Sequence, residues 1–554
     1  MILSRRAAWL LAVPVAIVLV AYVLGPNLST FRLGLDPEVL RDLLGSGRAA
    51  GVQALLNSVG VSLATVAGSL LVGTGLAWAL ARVELPLKGL LAAAAAMPLA
   101  LPPLVGVLAF LFLYGESGML PRGLQALFGL DSVPLAFAGR GAVVAVHVYV
   151  FQVYAFLFVG ASLRDLDGAL LDASADLGAG PWTTFRRVVV PHLRPALVGS
   201  GLLVFMLSMA SFTAPLVFAE GEPFLTTQIY QFKLNGALDR AASVSVILTA
   251  ICLVALALAE RGGAVGALGT AGAAKGVGRS AAAVRGLGAR IAVGAGVALA
   301  LAVLLLPVAT VVLLSFVEEG TWTTSVLPTA YTLGNYAALA TDPAVAEPIR
   351  SSLWMAGLAT AANVVFGVAA ALATTSPHVV GRGLLRALTL LPFAVPGTVI
   401  AFGLIVQFDE PSALAGGAVL VGTVWLLPLA YFVRHVPLVV RAAQASLEGV
   451  DDRLAEASAD LGAGGWTTFR RVVLPAIGPG VVAGALLTFV TALGEFVASV
   501  MLYVYANRPI SVEVFAQLRV FEFGQAAAYS VLLMALVVLA VGASRLLGGG
   551  ARVG

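Results

Sequence analysis

Carboxylates, serines and glycines recur at the same spacing in two polar segments of this sequence. They are Asp172, Ala173, Ser174 and Gly178 in the first segment, and Glu456, Ala457, Ser458 and Gly462 in the second. A catalytic role would require a base beside a nucleophile, or a set of metal ligands. The four histidines of the chain are scattered and supply neither. We therefore predict no catalytic site, no metal and no cofactor.

The two segments belong to a repeated island of polar sequence. Island 1, residues 170–191, reads LLDASADLGAGPWTTFRRVVVP, and island 2, residues 454–475, reads LAEASADLGAGGWTTFRRVVLP. The islands agree at 18 of 22 positions, with an offset of 284 residues. Because both lie between long apolar segments, this near-identity indicates a shared function.

Each island predicts two short helices joined by a glycine bend. Candidate N-caps precede both islands, namely Asp165 and Asp167 for island 1, and Asp451 and Asp452 for island 2. Gly178 and Gly462 stand where the end of a helix favours a left-handed residue. Pro181 suits the first turn of the second helix, and Pro191 and Pro475 are expected to close the islands. Such a rigid knob is better suited to fitting a groove than to catalysis.

The elements that hold the islands are predicted to be membrane helices. Only 11% of the 554 residues are charged and mean hydropathy is +1.00, whereas soluble domains carry about 25% charged residues. The run after Arg5 and Arg6 is long and lacks a cleavage site, so we predict an uncleaved first span. Twelve stretches are apolar enough to cross a bilayer, near residues 7–24, 52–80, 88–114, 138–162, 196–219, 242–259, 290–316, 350–375, 384–408, 413–440, 480–504 and 526–547.

Basic residues predict the orientation of these spans. With the N-terminus inside, 22 of the 32 Lys and Arg residues lie on the cytoplasmic side, as the positive-inside rule requires. Both termini and both islands are then cytoplasmic, in a multi-pass protein of the cell membrane. The basic residues border apolar spans rather than forming a basic face, so the pI of about 9.3 does not indicate a nucleic-acid partner.

The repeat extends beyond the islands and predicts the architecture. Further matches at an offset of 294 pair Asn57-Ser58 with Ser351-Ser352, and Pro98 and Pro102 with Pro392 and Pro396. An even number of spans per half makes the halves parallel, related by a pseudo-twofold axis along the membrane normal. We predict six spans in residues 1–260, with island 1 in a loop near 164–195, and six in residues 290–554, with island 2 in a loop near 441–479.

Residues 261–289 join the two halves. Gly and Ala dominate this stretch, which predicts a flexible cytoplasmic linker. The G-x-x-x-x-G-K-[ST] pattern of a phosphate-binding loop is absent from the whole sequence. The chain is therefore not expected to bind ATP by that route.

The islands resemble the EAA loop of binding-protein-dependent ABC importer permeases. The matching residues are Asp172-Ala173-Ser174, Gly178 and Pro191 in island 1, and Glu456-Ala457-Ser458, Gly462 and Pro475 in island 2. In that family the loop is a coupling helix that enters a cleft of the ATP-binding subunit. The resemblance therefore implies two ATP-binding cassette subunits on the cytoplasmic side and an extracytoplasmic solute-binding protein. It also implies that Glu456 and Asp172 pair with a basic residue of the ATP-binding subunit, the shorter Asp172 more weakly.

The fusion of two halves in one chain resembles the iron(III) and thiamine importer permeases. The stretches Ser211–Pro215 and Leu225–Tyr230 look more like the iron(III) type. This resemblance implies iron(III) as the first candidate solute and thiamine as the second, with sulfate, a polyamine or another small solute as alternatives.

Polar residues inside the predicted spans mark a candidate translocation path, because such residues usually face the interior of a bundle. They are Asn57, Ser58, Ser62, His147, Gln152, Ser208 and Ser211 in the first half, and Ser351, Ser352, Asn363, Thr488, Thr491 and Glu495 in the second. Glu495 is a carboxylate well inside a predicted span, and its counterpart at an offset of 284 is Ser211. It either lines the path or an outer gate, or forms hydrogen bonds between helices. Prolines in the third span of each half predict kinks that serve as hinges or as packing features.

Three classes of protein are compatible with twelve spans. A permease driven by separate ATPase subunits explains the islands. A secondary transporter driven by an ion gradient predicts coupling carboxylates near the bilayer midplane and leaves the islands unexplained. An intramembrane enzyme requires a catalytic constellation that the sequence lacks. The sequence therefore favours the permease.

Overall fold

The computed structural model describes residues 4–45, 49–134, 137–261, 286–322 and 325–548. The first half contains α1 Arg5–Val18, α2 Gly25–Gly34, α3 Pro37–Leu44, α4 Ala50–Arg82, α5 Lys88–Ala96, α6 Pro103–Tyr114, α7 Met119–Phe128, α8 Gly139–Asp165, α9 Gly168–Asp176, α10 Pro181–Thr184, α11 Val190–Met209, α12 Thr213–Phe218, α13 Leu225–Leu234 and α14 Leu238–Arg261. The second half contains α15 Leu287–Leu314, α16 Gly334–Thr341, α17 Pro343–Thr375, α18 Arg382–Ala394, α19 Gly397–Phe408, α20 Leu426–Glu448, α21 Asp452–Asp460, α22 Gly465–Thr468, α23 Leu474–Leu493, α24 Val497–Leu502, α25 Ile510–Arg519 and α26 Phe523–Gly548. Short π and 3-10 segments connect some of them, at Leu19–Leu24, Met97–Ala100, Phe185–Val189, Ala413–Ala415, Phe469–Val473 and Tyr505–Asn507.

The described residues form an all-helical membrane bundle. Eleven helical stretches are long and apolar enough to cross a bilayer, and the pair α18–α19, bent by 110°, makes a twelfth span when it is counted as one. The predicted fold class, about twelve membrane helices in two halves, is confirmed. Of the predicted linker, residues 262–285 lie outside the described residues, and α15 starts at Leu287.

Prolines break the third span of each half, as the sequence predicts. In the first half α5 gives way to a 3-10 turn, and α6 restarts at Pro103. In the second half α18 ends before Pro396, and α19 begins at Gly397. Proline lacks an N–H donor and disfavours helical geometry at the preceding residue, yet it suits a first turn. Pro392, in contrast, is accommodated inside α18.

Four predicted spans were placed wrongly. The stretch 88–114 is split, because Lys88–Ala100 is a separate short apolar helix and the membrane-length stretch is Pro103–Phe128. The stretch 413–440 becomes helical only at Leu426, because Gly416, Gly417 and Gly422 have φ angles of +64°, +85° and +81° that interrupt a helix. The stretches 196–219 and 480–504 are not continuous spans, since each is broken after its long helix, at residues 210–212 and 494–496. Hydroxyl groups from neighbouring helices satisfy carbonyl oxygens freed by these breaks, as described below.

The first helices are exchanged between the halves. α1 packs against α17, and α2 packs against α19 as well as against α14 of its own half. α15 packs against α5 and α6 as well as against α26 of its own half. The Ser29 hydroxyl donates to Gln407 Oε1 at 2.5 Å, and the Tyr22 hydroxyl donates to the Leu414 carbonyl at 2.7 Å. Each half is therefore completed by a helix that the other half supplies.

Gly403 allows α2 and α19 to approach closely. A Cβ at this position would lie 2.9 Å from the Pro26 carbonyl oxygen and 3.1 Å from Thr30 Oγ1. Gly403→Ala is therefore expected to destabilise the protein by ~1–3 kcal/mol, measured by thermal unfolding in detergent. Gly357→Ala is the control, because a Cβ there meets no atom within 4 Å. Equal unfolding temperatures for the two variants would contradict the tight contact.

Three helices in each half hold its island. In the first half α4, α8 and α11 pack together, and in the second half α17, α20 and α23 do so. Equivalent apolar clusters lie at the roots of the two islands. They contain Ala77, Val159, Leu163, Val189 and Leu193 in the first half, and Ala371, Ala443, Leu447, Val473 and Ile477 in the second. The islands are therefore anchored to the membrane helices in the same way.

Candidate functional sites at the islands and at the helix breaks

Both islands begin with the predicted short helix. The Asp167 carboxylate accepts a hydrogen bond from the Ala169 N–H at 2.9 Å, and the Asp451 carboxylate accepts the equivalent bond at 3.0 Å. These residues are the N-caps of α9 and α21. Asp165 instead ends α8, and Asp452 is the first residue of α21, so only one candidate of each pair was right.

A left-handed glycine ends each of these helices, as predicted. Gly178 has a φ of +73° and Gly462 a φ of +79°. The N–H of Ala179 closes the turn by donating to the Ser174 carbonyl at 3.1 Å, and island 2 has the same bond. A Cβ on either glycine would meet no atom within 4 Å. The need for glycine is therefore conformational rather than steric.

A pair of hydroxyl groups joins the two helices of each island across the bend. Ser174 Oγ lies 2.8 Å from Thr184 Oγ1, and Ser458 Oγ lies 2.9 Å from Thr468 Oγ1. Each bond adds a side-chain link between two helices that also pack against each other beyond the glycine turn. The serines of the predicted coupling motif thus hold the shape of the knob.

The outer surface of each island carries two carboxylates and three large apolar side chains. The exposed residues are Leu170, Asp172, Asp176, Leu177 and Trp182 in island 1, and Leu454, Glu456, Asp460, Leu461 and Trp466 in island 2. Leu177 and Leu461 are each 88% exposed, and the tryptophans are 71% and 72% exposed. Their exposure makes each island a candidate interaction surface. Sequence reasoning missed the leucines and tryptophans, although their identity in both islands was the available signal.

The islands do not close at Pro191 and Pro475, contrary to the prediction. Each proline lies in the first turn of a long helix, α11 or α23. A π-helical turn, Phe185–Val189 or Phe469–Val473, joins that helix to the short helix before it. Proline is tolerated in a first turn, and the π turn accommodates the change in the backbone hydrogen-bond pattern. The second helix of each knob therefore continues into the membrane.

Two aromatic rings meet where the fifth span of each half is broken. Phe212 and Phe496 correspond at an offset of 284, and their ring centroids lie 6.2 Å apart. Each is 1% exposed. Tyr230 contacts Phe212 at 5.4 Å, and Phe515 contacts Phe496 at 5.5 Å. The breaks of the two halves therefore meet in a closed aromatic contact.

Uncharged hydrogen bonds support the break in the first half. His147 Nε2 lies 2.8 Å from Ser211 Oγ, and His147 Nδ1 lies 3.1 Å from Ser208 Oγ. Ser62 Oγ donates to Ser208 Oγ at 3.0 Å. The Thr226 hydroxyl donates to the freed Ser211 carbonyl at 2.8 Å. Predicted path residues Ser208 and Ser211 are thus brought together around one histidine.

An ion pair supports the equivalent break in the second half. Arg434 Nε lies 2.6 Å from Glu495 Oε2. The other carboxylate oxygen accepts a hydrogen bond from the Ala498 N–H at 3.0 Å. The Glu495 carbonyl accepts hydrogen bonds from the hydroxyls of Ser499 and Ser511, the latter at 2.9 Å. Sequence reasoning placed Glu495 inside a helix and missed Arg434, although an arginine in a predicted span was a signal.

Ser58 and Ser352 support the structure around the breaks in matching ways. Ser58 Oγ accepts a bond from the first N–H of α13 at 3.0 Å, and Ser352 Oγ accepts one from the first N–H of α25 at 2.8 Å. Asn57 donates to the Pro223 carbonyl at 3.0 Å. Ser351 is buried in α17, and the Thr491 hydroxyl bonds back to its own helix, α23. These five predicted path residues lie outside the two clusters at the breaks.

Broken helices that meet inside a bundle of eleven or twelve spans, with two knobs on the loops, are typical of a membrane transport permease. Residues 69–261 and 363–552 each match the family described as binding-protein-dependent transport system inner membrane component. The chain belongs to this family, with two copies of its module in one polypeptide. The resemblance noted from the islands is thus confirmed.

Curated relatives agree with this assignment. The chain is 32% identical over 523 residues to the probable ABC transporter permease protein y4fN of Sinorhizobium fredii, covering 92% of this chain and 91% of the relative. It is 26% identical over 452 residues to the ferric transport system permease protein FbpB of Actinobacillus pleuropneumoniae, covering 80% and 63%. It is 33% identical over 212 residues to the sulfate transport system permease protein CysT of Escherichia coli, covering 37% and 76%.

Proposed function

We propose that this chain supplies both transmembrane halves of an ATP-driven importer. Two ATP-binding cassette subunits would dock on the islands from the cytoplasm and hydrolyse ATP, while this chain provides the path and no catalysis. The chain would lie in the inner membrane, with one permease half in residues 1–260 and the other in residues 290–554. Both termini, and the linker 261–289 that joins the halves, would be cytoplasmic. The observation that carries the proposal is the presence of two knobs with the same caps, bends and exposed side chains.

The knobs are suited to transmit force to the membrane helices. Each knob is tied across its bend by a hydroxyl pair. Its second helix continues through a π turn into α11 or α23, whose far end leads to the break at Phe212 or Phe496. Movement of the two knobs towards or away from each other would therefore move the aromatic contact. We propose that this contact is the gate of an alternating-access path.

The candidate solute is a small one delivered by an extracytoplasmic binding protein. Iron(III) remains the first candidate, because one relative with long coverage is a ferric transport permease. A sulfate permease matches over a shorter region. Thiamine and a polyamine were the other candidates from the sequence. Neighbouring genes for a binding protein, and the ligand that this protein retains on purification, would identify the solute.

Reconstitution tests the proposed function. The chain is placed in liposomes with its ATPase subunits and binding protein, and uptake of labelled ferric citrate, sulfate and thiamine is followed with and without ATP. Uptake is expected only when the ATPase subunits and ATP are both present. Solute accumulation driven by an ion gradient, in the absence of the ATPase subunits, would contradict the proposal and support a secondary transporter.

Substituted cysteines test the orientation of the islands. The single native cysteine, Cys252, is buried, so Cys252→Ala provides a cysteine-free background. Leu177→Cys and Leu461→Cys introduce thiols at positions that are each 88% exposed. A membrane-impermeant maleimide is expected to leave both thiols unlabelled in intact cells. After the cells are permeabilised, it should label both thiols from the cytoplasmic side. Labelling in intact cells would place the knobs on the wrong side of the membrane.

The left-handed glycines provide a conformational test of the knobs. Gly178→Val with Gly462→Val is expected to reduce ATP-driven uptake severalfold, because a β-branched residue at positive φ costs ~1–2 kcal/mol. Asparagine at both positions should retain most uptake, since it tolerates this conformation. The matched control places valine at Gly180 and Gly464, which have φ of −67° and −70° and no atom within 4 Å of a Cβ. Equal losses in the valine variant and its control would contradict a role for the bend.

A further inference from the structure

The ion pair at the second-half break consists of two unequally buried groups. Glu495 is 7% exposed and Arg434 is 28% exposed. Glu495 has a second partner in the Ala498 N–H, and its own carbonyl is held by Ser499 and Ser511. The carboxylate therefore has a partner besides Arg434, and the guanidinium is the more accessible member of the pair.

The guanidinium lies against the amino end of a half-helix. A Cβ at Gly397, the first residue of α19, would collide with Nη1 of Arg434. The N-cap residue Pro396 supplies no side-chain hydrogen bond to this end, where unpaired N–H groups carry a partial positive charge. The next residue, Thr398, is fully buried, and its hydroxyl has no hydrogen-bond partner among the residues that the structure describes. The guanidinium therefore lies beside a second positive group, and Glu495 is its anionic partner.

The charge is confined to one half and lies next to the other. At an offset of 284 the counterparts of Arg434 and Glu495 are Val150 and Ser211. A Cβ on Gly494 would lie 3.2 Å from the Pro102 side chain, which belongs to the broken third span of the first half. Glu495 therefore lies between Gly494, which contacts the first half, and Phe496 of the proposed gate.

We propose that Arg434 is an anion-binding residue of the transport path, and that Glu495 occupies it in the closed state as an internal anion that the solute displaces. An anion that replaces Glu495 leaves Arg434 paired, and Glu495 keeps its bond to the Ala498 N–H. A bare cation that draws Glu495 away leaves the guanidinium unpaired beside a positive helix end, which is strongly unfavourable. The inference rests on the proposed importer function, and it specifies the solute as an oxyanion or a metal ion that travels with anionic ligands.

Anion rescue of the purified protein tests the site independently of transport. Glu495→Gln removes the internal carboxylate and should lower the unfolding temperature in chloride. Sodium sulfate or sodium citrate at millimolar concentration should then raise the unfolding temperature of this variant by about 2 °C or more above the rise in wild type. The double variant Arg434→Gln with Glu495→Gln is the matched control, because it lacks the guanidinium. Equal rises in the single and double variants would overturn the anion site.

The reconstituted complex tests the class of solute. Uptake of labelled sulfate or ferric citrate should fall at least tenfold in Arg434→Gln and recover in part in Arg434→Lys, which restores the positive charge. If Arg434→Gln still takes up thiamine or putrescine, the solute is a cation, and the proposal that it is an anion or travels with anionic ligands is wrong. A complex that takes up none of these probes with ATP would contradict the proposed function, and the anion rescue would still decide the site.

Discussion

Replacing Asp172 and Glu456 together by alanine is expected to lower ATP-driven uptake by at least about tenfold. Both carboxylates are exposed on short helices that are fixed by an N-cap and a left-handed glycine. A charge-assisted hydrogen bond contributes ~1.5–3 kcal/mol, so the loss of one at each ATPase subunit accounts for an effect of this size. Uptake into proteoliposomes and co-purification of the ATPase subunits measure the result. The single variants should show a larger loss for Glu456→Ala, because the longer side chain reaches further.

A matched double variant separates docking from a general change of surface charge. Glu84→Ala with Glu448→Ala also removes two exposed carboxylates, but neither lies on α9 or α21. This control should retain wild-type uptake and wild-type binding of the ATPase subunits. If the two double variants show equal uptake and both still bind the ATPase subunits, the islands do not have the proposed docking role.

The islands were largely predictable because their structure is local. Caps, glycine bends and short helices depend on residues within one or two turns, and the identity of the copies at Gly178 and Gly462 doubled the signal. The membrane spans were predictable for a similar reason, since composition alone makes a stretch apolar enough to cross a bilayer. The prediction at Pro191 was wrong because a proline is compatible both with the end of one helix and with the first turn of the next. In the structure, the π turn before Pro191 shows that the proline lies in a first turn.

The centre of the bundle was predictable only in part, because its structure depends on contacts between distant residues. The break at Glu495 requires the Ser511 hydroxyl, 16 residues further along, and the partner of Glu495 lies on α20 at Arg434. Polarity alone could nominate Glu495 and Ser211 but could not identify their contact partners, Arg434 and His147. Phe212 and Phe496 match at an offset of 284, but an apolar match inside an apolar span does not distinguish a contact between the halves from ordinary packing. The exchange of first helices between the halves leaves no periodic signal in the sequence.

Replacing Phe212 and Phe496 together by alanine is expected to make the closed protein leak. The two rings meet at 6.2 Å, and each is 1% exposed, on the breaks that the two halves contribute. Removing both leaves space on the pseudo-twofold axis, where the flanking Tyr230 and Phe515 belong to different halves. Passive efflux of a small labelled solute from proteoliposomes without the ATPase subunits should therefore rise well above the wild-type rate. Leucine at both positions should restore much of the seal.

The leak must be distinguished from loosened packing, because a buried Phe→Ala change costs ~3–5 kcal/mol wherever it is made. Phe112→Ala with Phe402→Ala is the matched control, since both residues are buried and neither lies at a fifth-span break. Phe112 contacts Trp322 at 6.1 Å and Phe523 at 5.7 Å. The control should lower the unfolding temperature to a similar extent without efflux. Efflux of the same size in both double variants would mean that the Phe212–Phe496 contact is packing and that the gate lies elsewhere.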